Sequence, residues 1–241
     1  MKNVLMTFFL SVLILGTVVA QEVKIPLIGS KAPSFVALST SGEVSFPESF
    51  GKNWKILFSH PQDFTPVCTT ELLELAYAQN DFEALGVKIA VVSTDDIEHH
   101  KLWKTALEEL DYKGRGMQKI KFPIIDDQKF AISKKYGMLH TPTSTTKDVR
   151  GVFIIDPQNN VRSINFYPMN IGRNMEEIKR IVVALQTSDK HEVSTPANWN
   201  LGDDVIVPHY PFTEQELANN PELKDDYYSV GNRLWFKKNQ K

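Results

Sequence analysis

The stretch Ile56-Leu57-Phe58-Ser59-His60-Pro61-Gln62-Asp63-Phe64-Thr65-Pro66-Val67-Cys68-Thr69-Thr70-Glu71-Leu72 decides how this chain is read. It opens with a short apolar run of strand length, Ile56 to Ser59, bounded by Gly51 and Pro61, which is expected to be a buried strand. It closes in a helical pattern expected from about Thr69 to Leu85, with Leu72, Leu75, Ala76 and Phe82 along one stripe and Gly86 at its C-terminal end. Pro66 suits the start of that helix, where its missing N–H costs nothing. Cys68 is the one cysteine in 241 residues. Near the first turn of a helix, a thiol meets the positive end of the helix dipole and unpaired backbone N–H groups, both of which stabilise the thiolate. Cys68 is therefore a candidate nucleophile, and the chemistry it suggests is redox.

Outward from this stretch the pattern alternates. Val87 to Ser93 reads as a strand, and a helix follows from near Asp95-Asp96, whose acids suit an N-terminus. Phe122 to Ile125 reads as a short strand, Gln128 to Tyr136 as a helix stopped by Gly137, and Val152 to Ile155 as a fully apolar strand. The turn Asp156-Pro157-Gln158-Asn159-Asn160 joins that strand to Val161–Tyr167 as a hairpin. A last helix is expected over Asn174 to Gln186, with Met175, Ile178, Ile181, Val182 and Leu185 on one side. Strands alternating with helices and ending in a hairpin predict a mixed α/β sheet covered by helices. From about Ser188 the character changes to prolines and short apolar groups. Trp199, Val205-Ile206-Val207 and Leu234-Trp235-Phe236 are too apolar for a disordered tail and point to a small C-terminal domain that needs a partner surface.

With 42% hydrophobic and 23% charged residues and a net charge of −2, the composition is that of a globular protein with no bias toward nucleic acid or anionic membrane. Residues 1–20 differ: Lys2, an apolar run from Val4 to Leu15, and Val18 and Ala20 placed for cleavage before Gln21 read as a secretory signal peptide. That reading implies a secreted protein without a stable membrane span after cleavage, with endoplasmic-reticulum residence or a signal anchor as alternatives. A single unpaired thiol is unusual in that setting and suggests a reactive group. The run Asp95-Asp96-Ile97-Glu98-His99-His100 is read as a solvated helix face rather than a metal site, because adjacent histidines on a helix point about 100° apart. Trp54, Phe58 and Trp103 are read as core, and no metal is expected.

The segment from Ser59 to Leu72 resembles the peroxiredoxins, and within them the one-cysteine group (the peroxiredoxin VI subgroup) with Pro-Val-Cys-Thr-Thr-Glu. The resemblance extends to Arg150, to Tyr167-Pro168 and Gly172-Arg173-Asn174, and to Thr195-Pro196-Ala197-Asn198-Trp199, covering roughly residues 26 to 236. It implies a thioredoxin-like peroxiredoxin domain over 26–187 and a C-terminal dimerisation domain over 188–241. It also implies a thiol-specific peroxidase that reduces hydrogen peroxide and organic hydroperoxides, lipid ones included, in antioxidant defence. In that resemblance Cys68 matches the peroxidatic cysteine, Thr65 and Pro61 its pocket-forming pair, Arg150 the guanidinium facing the sulfur, His60 the histidine of the one-cysteine group, and Glu71 and Arg173 residues that hold the arginines. About 3% of an unperturbed thiol is ionised at pH 7, and about 90% if its pKa falls to roughly 6; Arg150 and the helix N-terminus are the expected source of such a shift. Thr65, backbone N–H groups and Arg150 are expected to stabilise charge on the leaving oxygen. No bound cofactor is implied.

Two departures matter. Where some one-cysteine members carry the serine of a phospholipase string, this chain has Gly51-Lys52-Asn53-Trp54-Lys55, with Pro47 and Gln158 at the positions of the serine's partners, so ester hydrolysis is not expected. The second cysteine of two-cysteine members is absent. A Cys68 sulfenic acid must then be resolved by an external thiol, glutathione or thioredoxin-like, or by an intermolecular bond, with overoxidation competing. The alternative reading is a redox-tuned holdase chaperone or secreted signalling protein built on the same scaffold.

Overall fold

The computed structural model describes residues 24–208, 212–231 and 234–239. The expected signal peptide at 1–20 lies outside them. Among the described residues no helix is long and apolar enough to cross a membrane.

A seven-stranded mixed sheet forms the body, in the order β2-β1-β5-β4-β3-β6-β7. Its centre is β3 (Trp54–Ser59), every residue of which is buried, flanked by parallel β4 (Val87–Ser93) and antiparallel β6 (Arg150–Ile155). Side chains alternate across it as a period of two demands. Ile56, Phe58, Val152 and Ile154 face one core with Leu72, Leu75, Phe82 and Trp103, whereas Leu57, Phe153 and Ile155 face a second with Phe46, Tyr136 and Val161. Helices α1 (Pro66–Ala84), α2 (Ile97–Glu108) and α4 (Met175–His191) supply the first core; α3 (Ala131–Tyr136) supplies part of the second. This is the thioredoxin-like arrangement that the resemblance implies, a central mixed sheet flanked by helices.

Several boundaries move from their expected places. Helix α1 begins at Pro66, three residues before Thr69, because Thr65 is extended and serves as N-cap with Pro66 in the first turn. Strand β5 (Ile124–Asp126) starts after Pro123, which has no N–H to give a ladder. Helix α3 starts at Ala131, since Phe130 is left-handed at φ 58°, and Asp127 caps it from outside by accepting the Ile132 and Ser133 amides at 2.9 and 2.6 Å. Helix α4 is capped by Asn174 and continues to His191, five residues past Gln186, until Glu192 turns left-handed. The hairpin β1 (Phe35–Ser39) and β2 (Gly42–Phe46) is an addition. Strand β7 (Val161–Tyr167) pairs with β6 as expected.

The C-terminal region folds as a three-stranded antiparallel sheet, β8 (Val205–Val207), β10 (Leu234–Lys237) and β9 (Tyr227–Val230), with a short helix α5 (Glu214–Asn219) between β8 and β9. The apolar groups around 205 and 235 are its strands. Trp199 is buried, and its carbonyl accepts from Arg180 Nη1 at 3.0 Å, tying the region to α4.

Candidate active site around Cys68

The site forms where β3 ends. The chain leaves the sheet at His60, turns through Pro61 to Thr65, and enters α1, so Cys68 stands in the first helical turn with no solvent exposure. The first-turn amides of Val67 and Cys68 have no intrahelical acceptor and add positive potential there. Phe64 turns the loop at φ 57° and remains exposed. Thr65 does not use its hydroxyl to cap α1; it donates to the Gln62 carbonyl at 2.9 Å, which leaves the oxygen lone pairs as the free part of that group. Pro61 is buried, whereas Pro66 is exposed because the first helical turn points it outward.

Arg150 opens β6, antiparallel to β3, and so reaches the same end of the sheet. Its Nη1 donates to Cys68 Sγ at 3.3 Å and to Glu71 Oε2 at 2.5 Å, while Nε and Nη2 both donate to the Met169 carbonyl, at 2.9 and 2.5 Å. Glu71, one turn beyond Cys68, takes Arg173 as well: its Oε1 accepts the Arg173 amide and Nε, both at 2.8 Å, and its Oε2 accepts Nη2 at 2.7 Å. Arg173 Nη1 donates to the Gly151 carbonyl at 2.8 Å, and its guanidinium lies 3.3 Å from the centre of the Phe58 ring. Burial opposes charge on Glu71, but the two arginines outweigh it and hold its carboxyl below the usual range. Arg150, Glu71 and Arg173 are all buried and sum to one positive charge. An anionic sulfur brings that sum to zero, which is the electrostatic logic of the site.

His60 is also completely buried, and its Nε2 meets Asp63 Oδ1 at 2.7 Å. Asp63 Oδ2 meets His100 Nδ1 at 2.7 Å, and His100 Nε2 meets the Ile125 carbonyl at 3.1 Å. This corrects the reading of 95–100 as a solvated face. His99 is exposed, but His100, one residue on and turned inward by the helix, is fully buried. His60, Asp63 and Asp95 bring potential ligand atoms within 4.8 Å of one another. Asp95 Oδ2 already accepts the Asp63 amide at 2.8 Å and the Ser93 hydroxyl at 3.1 Å, while His60 Nδ1 has no partner among the described residues.

The structure thus gathers Cys68, Arg150, Glu71 and Arg173 into one contact network and places Thr65 and Pro61 in the adjoining loop. His60 stands in a neighbouring network. Sequence reasoning missed Asp63, His100 and the Met169 carbonyl. The spacing of His60 and Asp63 was a signal for the first; a backbone carbonyl leaves none.

Residues 28–164 match the AhpC/TSA family, and residues 184–219 match the C-terminal domain of 1-Cys peroxiredoxin. A peroxiredoxin of Methanosarcina mazei is 50% identical over 184 residues, which cover 76% of this chain and 84% of that protein. Peroxiredoxin 2 of Caldanaerobacter subterraneus is 45% identical over 201 residues, 82% of this chain and 88% of that one. Among solved structures, a yeast mitochondrial 1-Cys peroxiredoxin, described with a thiol resolving mechanism via glutathione/thioredoxin systems, aligns with a TM-score of 0.75 at 36% identity over 89% of this chain and all of that one. The C45S mutant of peroxiredoxin 6 of Arenicola marina gives a TM-score of 0.77 at 32% identity over 89% and 99%. Fold, site and relatives define a thiol-dependent peroxidase, an oxidoreductase. The chain belongs to the AhpC/TSA family, in its 1-Cys peroxiredoxin branch.

Proposed function

We propose that Cys68 is the peroxidatic nucleophile, attacking hydrogen peroxide and organic hydroperoxides, and that its sulfenic acid is resolved by an external thiol. The observation that carries this reading is the guanidinium of Arg150 donating to the one sulfur of the chain's cysteine at 3.3 Å, inside a buried network one positive charge in excess. The thiolate attacks the distal peroxide oxygen, the O–O bond breaks, and the water or alcohol released takes a proton. Thr65 and Arg150 stabilise the charge on the departing oxygen. Glutathione or a thioredoxin-like protein is the proposed reductant, by likeness to the yeast mitochondrial relative, and peroxiredoxins need no prosthetic group.

The wider setting belongs to the same proposal. The small C-terminal sheet exposes Tyr228, Val230 and Leu234, with Leu201 exposed beside it, which supports a homodimer formed through this region. The leader-like residues 1–20 support a role in antioxidant defence in the secretory pathway or outside the cell. The test is peroxide turnover with glutathione and with thioredoxin in parallel. At least one is expected to sustain turnover that Cys68→Ser abolishes; turnover that survives Cys68→Ser overturns the reading.

A further inference from the structure

Asp148 is completely buried two residues before Arg150, at the end of the segment that joins α3 to β6, and has no part in the reaction described so far. It faces the start of α3, where Ser133 hydrogen-bonds it and the charge of Asp127 acts on it. Asp127 already takes the donors there. Its Oδ1 accepts the Ile132 amide at 2.9 Å, and its Oδ2 accepts the Ser133 amide at 2.6 Å and the Ser133 hydroxyl at 2.5 Å. A serine hydroxyl has one hydrogen and two lone pairs. With that hydrogen given to Asp127, Ser133 meets Asp148 as an acceptor, so Asp148 has to bring the proton itself. The order is then Asp148 O–H to Ser133 Oγ, and Ser133 Oγ–H to Asp127. Ionised, Asp148 competes with Asp127 for one hydrogen, and no other donor reaches it among the described residues.

The other ionisable groups of the surrounding segments are engaged elsewhere. Asp126 accepts the Ile97 and Gln128 amides. Lys129, Lys134 and Lys135 are exposed, and the Tyr136 hydroxyl donates to the Pro33 carbonyl. On the segment itself His140 packs against Phe166, and Lys147 bonds the Gln62 side chain. Both neighbours of Asp148 lead to the active site. Lys147 holds Gln62, whose carbonyl takes the Thr65 hydroxyl. Val149 donates to the Met138 carbonyl at 2.9 Å and accepts the hydroxyl of Ser59, the last residue of β3, at 2.7 Å. Arg150 follows directly.

We propose that Asp148 is a positioning residue and a proton-operated latch: with its proton it fastens residues 139–149 to α3 and so sets Arg150 and the Gln62–Thr65 loop for the reaction of Cys68 with peroxide, and without it the segment is released. The inference rests on Cys68 as the reacting sulfur. Burial, helped by Asp127, places the release at about 8, so the latch is closed at neutral pH and opens on the alkaline side. Asp148→Asn keeps it closed at every pH, because the amide donates to Ser133 Oγ and cannot ionise.

The test follows stopped-flow oxidation of Cys68 by hydrogen peroxide from about pH 6 to about pH 9, with hydrogen exchange of residues 139–149 corrected for its intrinsic pH dependence. Native protein and Asp148→Asn are expected to react alike below about pH 7. At about pH 9 the native protein should be about 10-fold slower than the variant, the effect of one ionisation a unit past its midpoint, and return to neutral pH should restore it. Native exchange protection should fall over the same range while that of the variant holds. A merely structural role for Asp148 changes the variant's rate by one factor at every pH and overturns the proposal, as do superimposable profiles. Should Asp148→Asn not fold, the native exchange decides, because protection that stays constant through pH 8 contradicts the latch. If native Cys68 takes no oxygen at any pH, the nucleophile assignment has failed; normal oxidation with parallel profiles sinks this inference alone.

Discussion

Glu71 stands between two guanidinium groups, and its negative charge is what allows both to be buried beside Cys68. Glu71→Gln leaves Arg150 and Arg173 facing each other uncompensated. The expected loss of stability is about 3–5 kcal/mol, the usual result of removing one partner of a buried ion pair, measured by chemical denaturation. Arg150→Lys keeps the charge but cannot reach the Met169 carbonyl, Glu71 and the sulfur together. Oxidation of Cys68 by peroxide should slow by roughly 100-fold, the scale of one transition-state donor, in stopped-flow traces. Much of this network was legible in the sequence through its resemblance to the one-cysteine peroxiredoxins, which pointed to Cys68, Glu71, Arg150 and Arg173 together; without it Glu71 and Arg173 read as surface charges. Asp63 and His100 were not singled out. His100 sits in a run of charged residues, and only the packing of α2 against β5 decides which of two adjacent histidines is buried.

At the scale of elements, the strand–loop–helix stretch that opened the reading is where the chain commits the sulfur to a helix N-terminus. The alternation of strands and helices was legible from apolar runs, since β3, β4 and β6 are buried on both faces. The hairpin β1–β2 was not, because exposed Val36 and Leu38 blur the alternation that marks a half-buried strand. Its turn is also short and polar rather than an Asn-Gly signal. Gly137 ends α3 at φ 64°, and a Cβ built there lies 2.6 Å from Ile25 Cγ1. Gly137→Ala therefore meets both backbone strain and a clash. A loss of about 1–3 kcal/mol is expected from thermal or denaturant melts, more than a helix-ending glycine alone accounts for.

For the whole molecule, two buried carboxyls pull the pH dependence of stability in opposite directions. Asp63 is held down at about 2, below the ordinary 3.8, so its contribution is present above pH 4 and is lost as pH falls toward 2. Asp148 is the reverse. Burial, with the nearby charge of Asp127, outweighs the opposing pull of the Ser133 hydroxyl and pushes it up to about 8. Its neutral form is favoured in the folded state, so its contribution is complete below about pH 4 and disappears as pH rises to about 8. Asp148→Asn removes that titration. The native protein should lose melting temperature between about pH 5 and pH 8 more steeply than the variant; parallel curves contradict the assignment.

The central claim is that Cys68, held by Arg150 in a network one positive charge in excess, is the sulfur that reacts with peroxide. The most direct measurement is mass spectrometry of the intact protein after titration with near-stoichiometric hydrogen peroxide, followed by peptide mapping. One oxygen atom is expected on Cys68, removed by a thiol reductant and absent from Cys68→Ser. A Cys68 that stays unmodified while peroxide is consumed, or an oxygen found elsewhere, contradicts the account.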